Sequence, residues 1–110
     1  MQRLNDDTLN AFLDQPGTTI LMFGAPSGRP TLYQAEELAV LWAERSGDAL
    51  FGHIDATSND VARRDFAVRL LPTTIVLHDG APVARFEGVQ QRWRIEAALD
   101  RANRSEALAA

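Results

Sequence analysis

Apolar residues in this chain fall into two rhythms, unbroken runs of five or six and recurrences every three or four positions, and the switches between them lay out its elements. Thr18-Thr19-Ile20-Leu21-Met22-Phe23 is a continuous β-branched and apolar run, the pattern of a strand buried on both faces. Ala49-Leu50-Phe51-Gly52-His53-Ile54-Asp55 and Thr73-Thr74-Ile75-Val76-Leu77 read as two further strands. His78-Asp79-Gly80-Ala81 supplies an Asp-Gly turn for a tight hairpin into a fourth, Pro82-Val83-Ala84-Arg85-Phe86. Helical spacing fills the intervals. Asn5 or Asp6 can accept from first-turn amides of an opening helix that turns Leu9, Phe12 and Leu13 inward and stops at Pro16-Gly17. After the Gly24–Pro30 loop, a long helix over 31–45 has Ala35, Leu38, Ala39 and Trp42 as its inner stripe. A short helix from Thr57 or Ser58 to Ala67 uses Val61, Ala62 and Phe66. A last one runs from Val89 to Ala102, burying Trp93, Ile95, Ala98 and Leu99, and the stretch 104–110 is expected to fray.

The order α-β-α-β-α-β-β-α predicts a mixed sheet covered by helices on both faces, with right-handed crossovers between its first strands. This is a three-layer α/β sandwich around a central four-stranded sheet, with room for a short fifth strand. At 110 residues the chain makes one domain, 1–110. Its 45% hydrophobic and 24% charged residues are those of a soluble protein. No apolar run approaches the ~20 residues that cross a bilayer, and the opening residues lack the pattern of a secretory signal, so a cytoplasmic protein with no membrane partner is expected. A net charge of -4 argues against a nucleic-acid partner.

All basic side chains are arginines, which excludes lysine Schiff-base chemistry and a phosphate-binding P-loop lysine. The chain also contains no cysteine, so it has no thiol with which to enter a mixed disulfide. Ser27 would need a base to act as a nucleophile. His53 lies within a strand and His78 at a hairpin on the opposite edge, so Ser27 or Thr31 is read as a cap of the long helix. His53 is read as a satisfied structural residue and His78 as solvated. Without cysteine or HExxH spacing the two histidines make no metal site, and no cofactor is expected. Asp55 ends its strand and braces the next helix, Asp60 stands apart from it, and Arg63-Arg64 reads as a solvated face pairing with Asp60 or Asp65. Arg29 falls at the positive start of the long helix. It is either an exposed side chain with no ligand or the seat of a carboxylate, phosphate or acidic peptide.

Val68-Arg69-Leu70-Leu71-Pro72-Thr73-Thr74-Ile75 resembles the thioredoxin segment in which an apolar residue precedes a cis-proline and a threonine starts the next strand. Ile54-Asp55, Phe66, Asp79-Gly80 and Phe86-Glu87-Gly88 extend the likeness in order, so that it covers residues from about 5 to about 100. The resemblance implies a thioredoxin-like fold. It also implies that the two cysteines of thioredoxins are replaced by Ser27 and Pro30, and their buried acid by Met22. In thioredoxins the backbone before the cis-proline pairs with an extended substrate segment, which is β-augmentation; here either Pro26, Leu71 and Val89 line that groove or Pro72 is kept only as fold architecture. The Arg29-Pro30 pair resembles that of cysteine-free thioredoxin-like accessory proteins of hydrogenase operons, although the longer N-terminal portion of those proteins has no counterpart here. The reading is a redox-inactive binding or chaperone module for a peptide segment or partner protein, with no catalytic residue. Its surface would comprise Pro26, Ser27, Arg29, Pro30, Leu71, Pro72 and Val89. The rival is a glutathione-dependent transferase with Ser27 hydrogen-bonding a bound thiolate, and a third reading is a homodimer through the Val83–Phe86 edge.

Overall fold

The computed structural model describes the backbone of residues 1–109 and the side chains of residues 1–104. Within the described residues, five strands and four helices follow in the order β1 (Gln2–Leu4), α1 (Leu9–Leu13), β2 (Thr18–Gly24), α2 (Arg29–Arg45), β3 (Leu50–Asp55), α3 (Asp60–Asp65), β4 (Thr73–His78), β5 (Ala81–Glu87) and α4 (Arg92–Ala109). They form one mixed sheet in the order β1-β3-β2-β4-β5. β1, β3 and β2 are parallel, whereas β4 is antiparallel to both β2 and β5. The fold is the expected thioredoxin-like one, with the short fifth strand realised as β1.

Every residue of β2 is buried, as its unbroken apolar run requires. Alternation then sends Leu21 and Phe23 to one face, with Leu9 and Phe12 of α1 and Ala62 of α3. Ile20 and Met22 go to the other, with Leu38 and Leu41 of α2 and Ile95 and Leu99 of α4. The Asp79-Gly80 turn has positive φ at both residues, +49° and +82°, the geometry that matches strand twist in a tight hairpin. Asp79 also accepts from Gly17 N–H at 2.7 Å and donates its own N–H to the Gly17 carbonyl at 2.9 Å, tying the hairpin to the start of β2.

Strand β1 is too short to show a period, and its edge position depends on a glycine. Gln2, Arg3 and Leu4 pair with Gly52, His53 and Ile54. A Cβ at position 52 would stand 2.7 Å from Leu4 Cδ1 and 2.9 Å from Phe12 Cζ. Gly52→Ala therefore overpacks this corner, and we expect a loss of about 1–2 kcal/mol in urea unfolding. Stability within a few tenths of wild type would show that Leu4 and Phe12 do not close on that glycine.

Several helix faces differ from expectation, and in α2 the reason is that polar residues occupy inward positions. In α2 the buried stripe is Thr31, Gln34, Leu38 and Leu41. That displaces the predicted stripe, so that Ala39 is exposed and Trp42 is 44% exposed. Trp93 and Val61 also face outward. α4 starts at Arg92 rather than Val89, because buried Gln34 holds Gln90 through both its N–H and its carbonyl, and Glu37 accepts from Arg92 N–H. The α4 backbone is helical through Ala109, past the expected fraying point; Ala110 lies outside the described residues.

Capping is shared across the chain. Asn5 accepts from the Asp7 and Thr8 amides in the turn before α1, but Asp6 serves α3 instead. Its carboxylate accepts from Ala62 N–H at 2.8 Å and Val61 N–H at 3.3 Å, while Asn59 Oδ1 accepts from Asp6 N–H at 2.9 Å. α3 starts at Asp60, later than Thr57 or Ser58, because Asp55 holds those two residues in a turn of their own. His78 is not solvated. Its ring is largely buried, with Nδ1 3.1 Å from the Thr18 hydroxyl and Nε2 3.6 Å from Asp79.

Candidate functional site

The C-terminal end of β2 lies beside the start of β4 and the end of β5, since Phe23 pairs with Thr73 and Thr73 with Glu87. It also lies beside the end of β3, through Gly24 and Asp55. The loop into α2, the Leu71–Pro72 segment and the Gly88–Val89 turn therefore emerge at one end of the sheet.

The α2 loop is held tightly. Thr31 Oγ1 accepts from Ala25 N–H at 3.0 Å, and Gly28 N–H donates to the Ala25 carbonyl at 2.9 Å. A Cβ at Gly24 would collide with the Thr31 methyl. The N-cap of α2 is Gly28, with no side-chain cap, and Pro30 lies in the first turn. Neither Ser27 nor Thr31 caps the helix, because Thr31 already lies inside it and turns its hydroxyl back to the loop. Ser27 is exposed and its hydroxyl bonds to no group among the described residues. Arg29 is the first residue of α2, exposed beside Leu32, Tyr33 and Glu36, and makes no ion pair among the described residues.

Across the sheet end, the Leu71–Pro72 bond is cis. The Pro72 carbonyl accepts from Gly88 N–H at 2.8 Å, and Thr73 Oγ1 donates to the Leu70 carbonyl. These bonds put Leu71, Pro72 and Val89 together. Pro72 is buried, Leu71 half-buried, and Leu70 and Val89 are respectively 49% and 46% exposed. Leu71's own N–H and C=O bond to no group among the described residues. Arg85, which the sequence did not single out, fixes the preceding turn by donating to the Phe66 and Ala67 carbonyls at 2.6 and 2.7 Å. Pro26, Ser27, Arg29 and Pro30 share this end of the fold but have no hydrogen bond to Leu71, Pro72 or Val89. Pro26 instead lines a separate cavity under α2, with Met22 and His53.

His53 is not satisfied as a structural histidine. Its imidazole has no hydrogen-bond partner among the described residues. Burial, then the positive amino terminus and Arg3, hold its pKa below the usual histidine value. The unfolded chain then binds a proton that the folded one resists, so stability falls as pH drops through about 6.5 toward the folded value and levels off below it. We expect His53→Gln to remove that part of the slope, read from urea midpoints between pH 7 and 5; equal slopes in both proteins would refute it. Asp55 behaves as expected at the end of its strand. Its carboxylate accepts from the Thr57 hydroxyl, from Thr57 N–H at 2.8 Å and from Ser58 Oγ at 3.1 Å, which hold its pKa low. Among the described residues no group of three or more His, Asp or Glu could hold a metal, and no helix is long and apolar enough to cross a membrane. Arg63 bonds the Val68 carbonyl rather than Asp60 or Asp65.

Comparison with solved structures agrees with this fold. The chain superposes on the thioredoxin of Fasciola hepatica with a TM-score of 0.83 at 22% identity, covering 93% of this chain and 99% of that one. It superposes on chloroplastic thioredoxin z with a TM-score of 0.83 at 24% identity, covering 93% of each. Comparison with curated proteins finds no match. The thioredoxin family's sequence profile matches residues 1–101, and with that match over nearly its whole length the chain belongs to the thioredoxin family.

Proposed function

We propose that this chain is a redox-inactive member of the family that grips an extended segment of a partner protein at Leu71–Pro72. One observation carries the reading: the Leu71 N–H and C=O are both without partners among the described residues, beside exposed Leu70 and Val89. A backbone donor and acceptor left open at the end of a sheet suit strand addition, with nearby apolar side chains supplying preference. The chain has no cysteine, so the grip would hold the partner without disulfide exchange. The Arg29-Pro30 pair supports an accessory role in enzyme assembly, of the kind served by hydrogenase-operon proteins. Arg29 at the start of α2 would favour acidic residues in the bound segment.

Fluorescence polarisation with a set of extended apolar peptides tests this. We expect Leu71→Asp to weaken capture at least tenfold, N-methylation of the central peptide amide to do the same, and Arg29→Glu to erase any preference for acidic flanks. Capture unchanged in both variants would show that the surface is wrong. The exposed β5 edge offers self-association as a different outcome, which sedimentation of the peptide-free protein would reveal as a dimer.

A further inference from the structure

The sheet carries a second feature away from Leu71. Arg3, His53 and Met22 are register partners across β1, β3 and β2, and α2 passes over them. Close to its start the helix turns small or short side chains toward the sheet, Thr31 and then half-buried Ala35, before Leu38 and Leu41 fill the space farther along. The result is a cavity of about 310 Å³, walled mostly by apolar groups of Met1, Met22, Pro26, Leu32 and Ala35, with Arg3 and His53 at its edge.

A cavity of ~150 Å³ takes up benzene, and ligand pockets begin near ~300 Å³, so this one accommodates a body of roughly eight to twelve carbons. The charges at the rim decide the other end of such a ligand. Arg3 is exposed and has no ion-pair or hydrogen-bond partner among the described residues. Asp55 also lines the wall and feels the Arg3 charge through space, but Thr57 and Ser58 engage both its oxygens, so the Arg3 N–H donors stay open among the described residues. A guanidinium whose N–H donors meet no acceptor among the described residues, over an apolar recess, matches a carboxylate with an apolar tail, because its fork of donors fits both carboxylate oxygens. A neutral tail would leave that guanidinium unused, and an ammonium would be repelled by it.

We propose that this cavity binds a small amphipathic carboxylate, its apolar body under α2 and its carboxylate on Arg3. The inference is independent of the Leu71 surface, since none of its charged or apolar contacts is shared with Leu70, Leu71 or Val89.

The chain contains two methionines, Met1 and Met22, and both line the cavity. Their methyl groups, labelled with ¹³C, therefore report occupancy directly. Titration with octanoate is expected to shift the Met22 methyl resonance saturably, with one site per chain by calorimetry. Octanol and octylamine should each bind at least tenfold more weakly. Arg3→Gln should weaken octanoate at least tenfold while leaving thermal stability unchanged, and Ala35→Leu, which fills the recess, should abolish the shift in a chain whose amide spectrum stays folded. If the Met22 methyl does not move at millimolar octanoate, the site does not exist. If octanol and octylamine bind as well as octanoate, or Arg3→Gln changes nothing, carboxylate recognition is overturned.

Discussion

Phe23→Ala should cost about 3–5 kcal/mol of folding stability, the largest loss expected from any single substitution considered. Phe23 is fully buried in β2, which is itself flanked by β3 and β4. Its register partners are Ile54 on one side and Thr73 on the other. Its ring meets that of Phe66 at a centroid distance of 5.5 Å and a tilt of 47°, within the range where aromatic pairs add to simple burial. Removing the ring leaves a void bounded by a rigid sheet below and by α1 and α3 above, so the neighbours have little room to collapse. Domains of this kind have about 5–15 kcal/mol in total, so the variant should unfold at a much lower urea concentration with an unchanged slope. A loss below about 1 kcal/mol would mean that this face of the sheet is not packed as described.

The same residue shows what the sequence made legible. Thr18–Phe23 is a run with no polar interruption long enough to be mistaken, and the strands that border it, Leu50–Asp55 and Thr73–His78, carry the same signal. Their order, with the Asp79-Gly80 hairpin, was enough for a mixed sheet in a three-layer α/β sandwich, and the likeness of residues 68–75 to thioredoxins narrowed that to the fold. Helix faces were less legible, because period counting assumes that inward positions are apolar. Thr31 and Gln34 break that assumption in α2, and the stripe slid by one residue onto Trp42. The short fifth strand was expected but not placed, because the three residues of β1 show no alternation and Leu4 is its one buried position. Asp6 was read as a cap for α1 because capping is expected to be local, yet it reaches the first turn of α3, more than 50 residues along the chain.

The candidate site divides along the same line. Leu71, Pro72 and Val89 come together through backbone geometry that a sequence string can encode, and the sequence named all three. What it did not encode is the partnering of individual polar atoms. Among the described residues, the open N–H and C=O of Leu71, the imidazole of His53 without a hydrogen bond and the unbonded guanidinium of Arg3 depend on which partners each neighbour takes elsewhere in the fold. Ser27 is the converse case. It has the residue type of a helix cap, but Gly28 takes the N-cap position, one residue later.

Gln34→Ala carries the second large effect and joins stability to the proposed binding surface. Gln34 is fully buried, and its amide closes a two-bond ring with Gln90: Oε1 accepts from Gln90 N–H at 2.8 Å, and Nε2 donates to the Gln90 carbonyl at 3.3 Å. Truncation leaves both backbone groups of a part-buried residue unmatched and opens a small void, which together should cost about 3 kcal/mol. Gln34→Glu is the sharper comparison, since it keeps the volume and one acceptor but replaces the donor with a buried negative charge facing a carbonyl. It should be at least as destabilising at pH 7 as the alanine variant, and should recover part of that loss as the pH falls and the carboxyl protonates. The consequence for function follows from position. Gln90 lies just beyond Gly88 and Val89, and Gly88 is bonded to the Pro72 carbonyl, so releasing Gln90 loosens one wall of the Leu71 surface. Peptide capture by Gln34→Ala, measured well below its unfolding midpoint, should therefore weaken several-fold although Gln34 itself is wholly buried. Full stability in this variant would show that the Gln34–Gln90 ring contributes nothing; lost stability with wild-type capture would show that the 88–91 turn is no part of the surface.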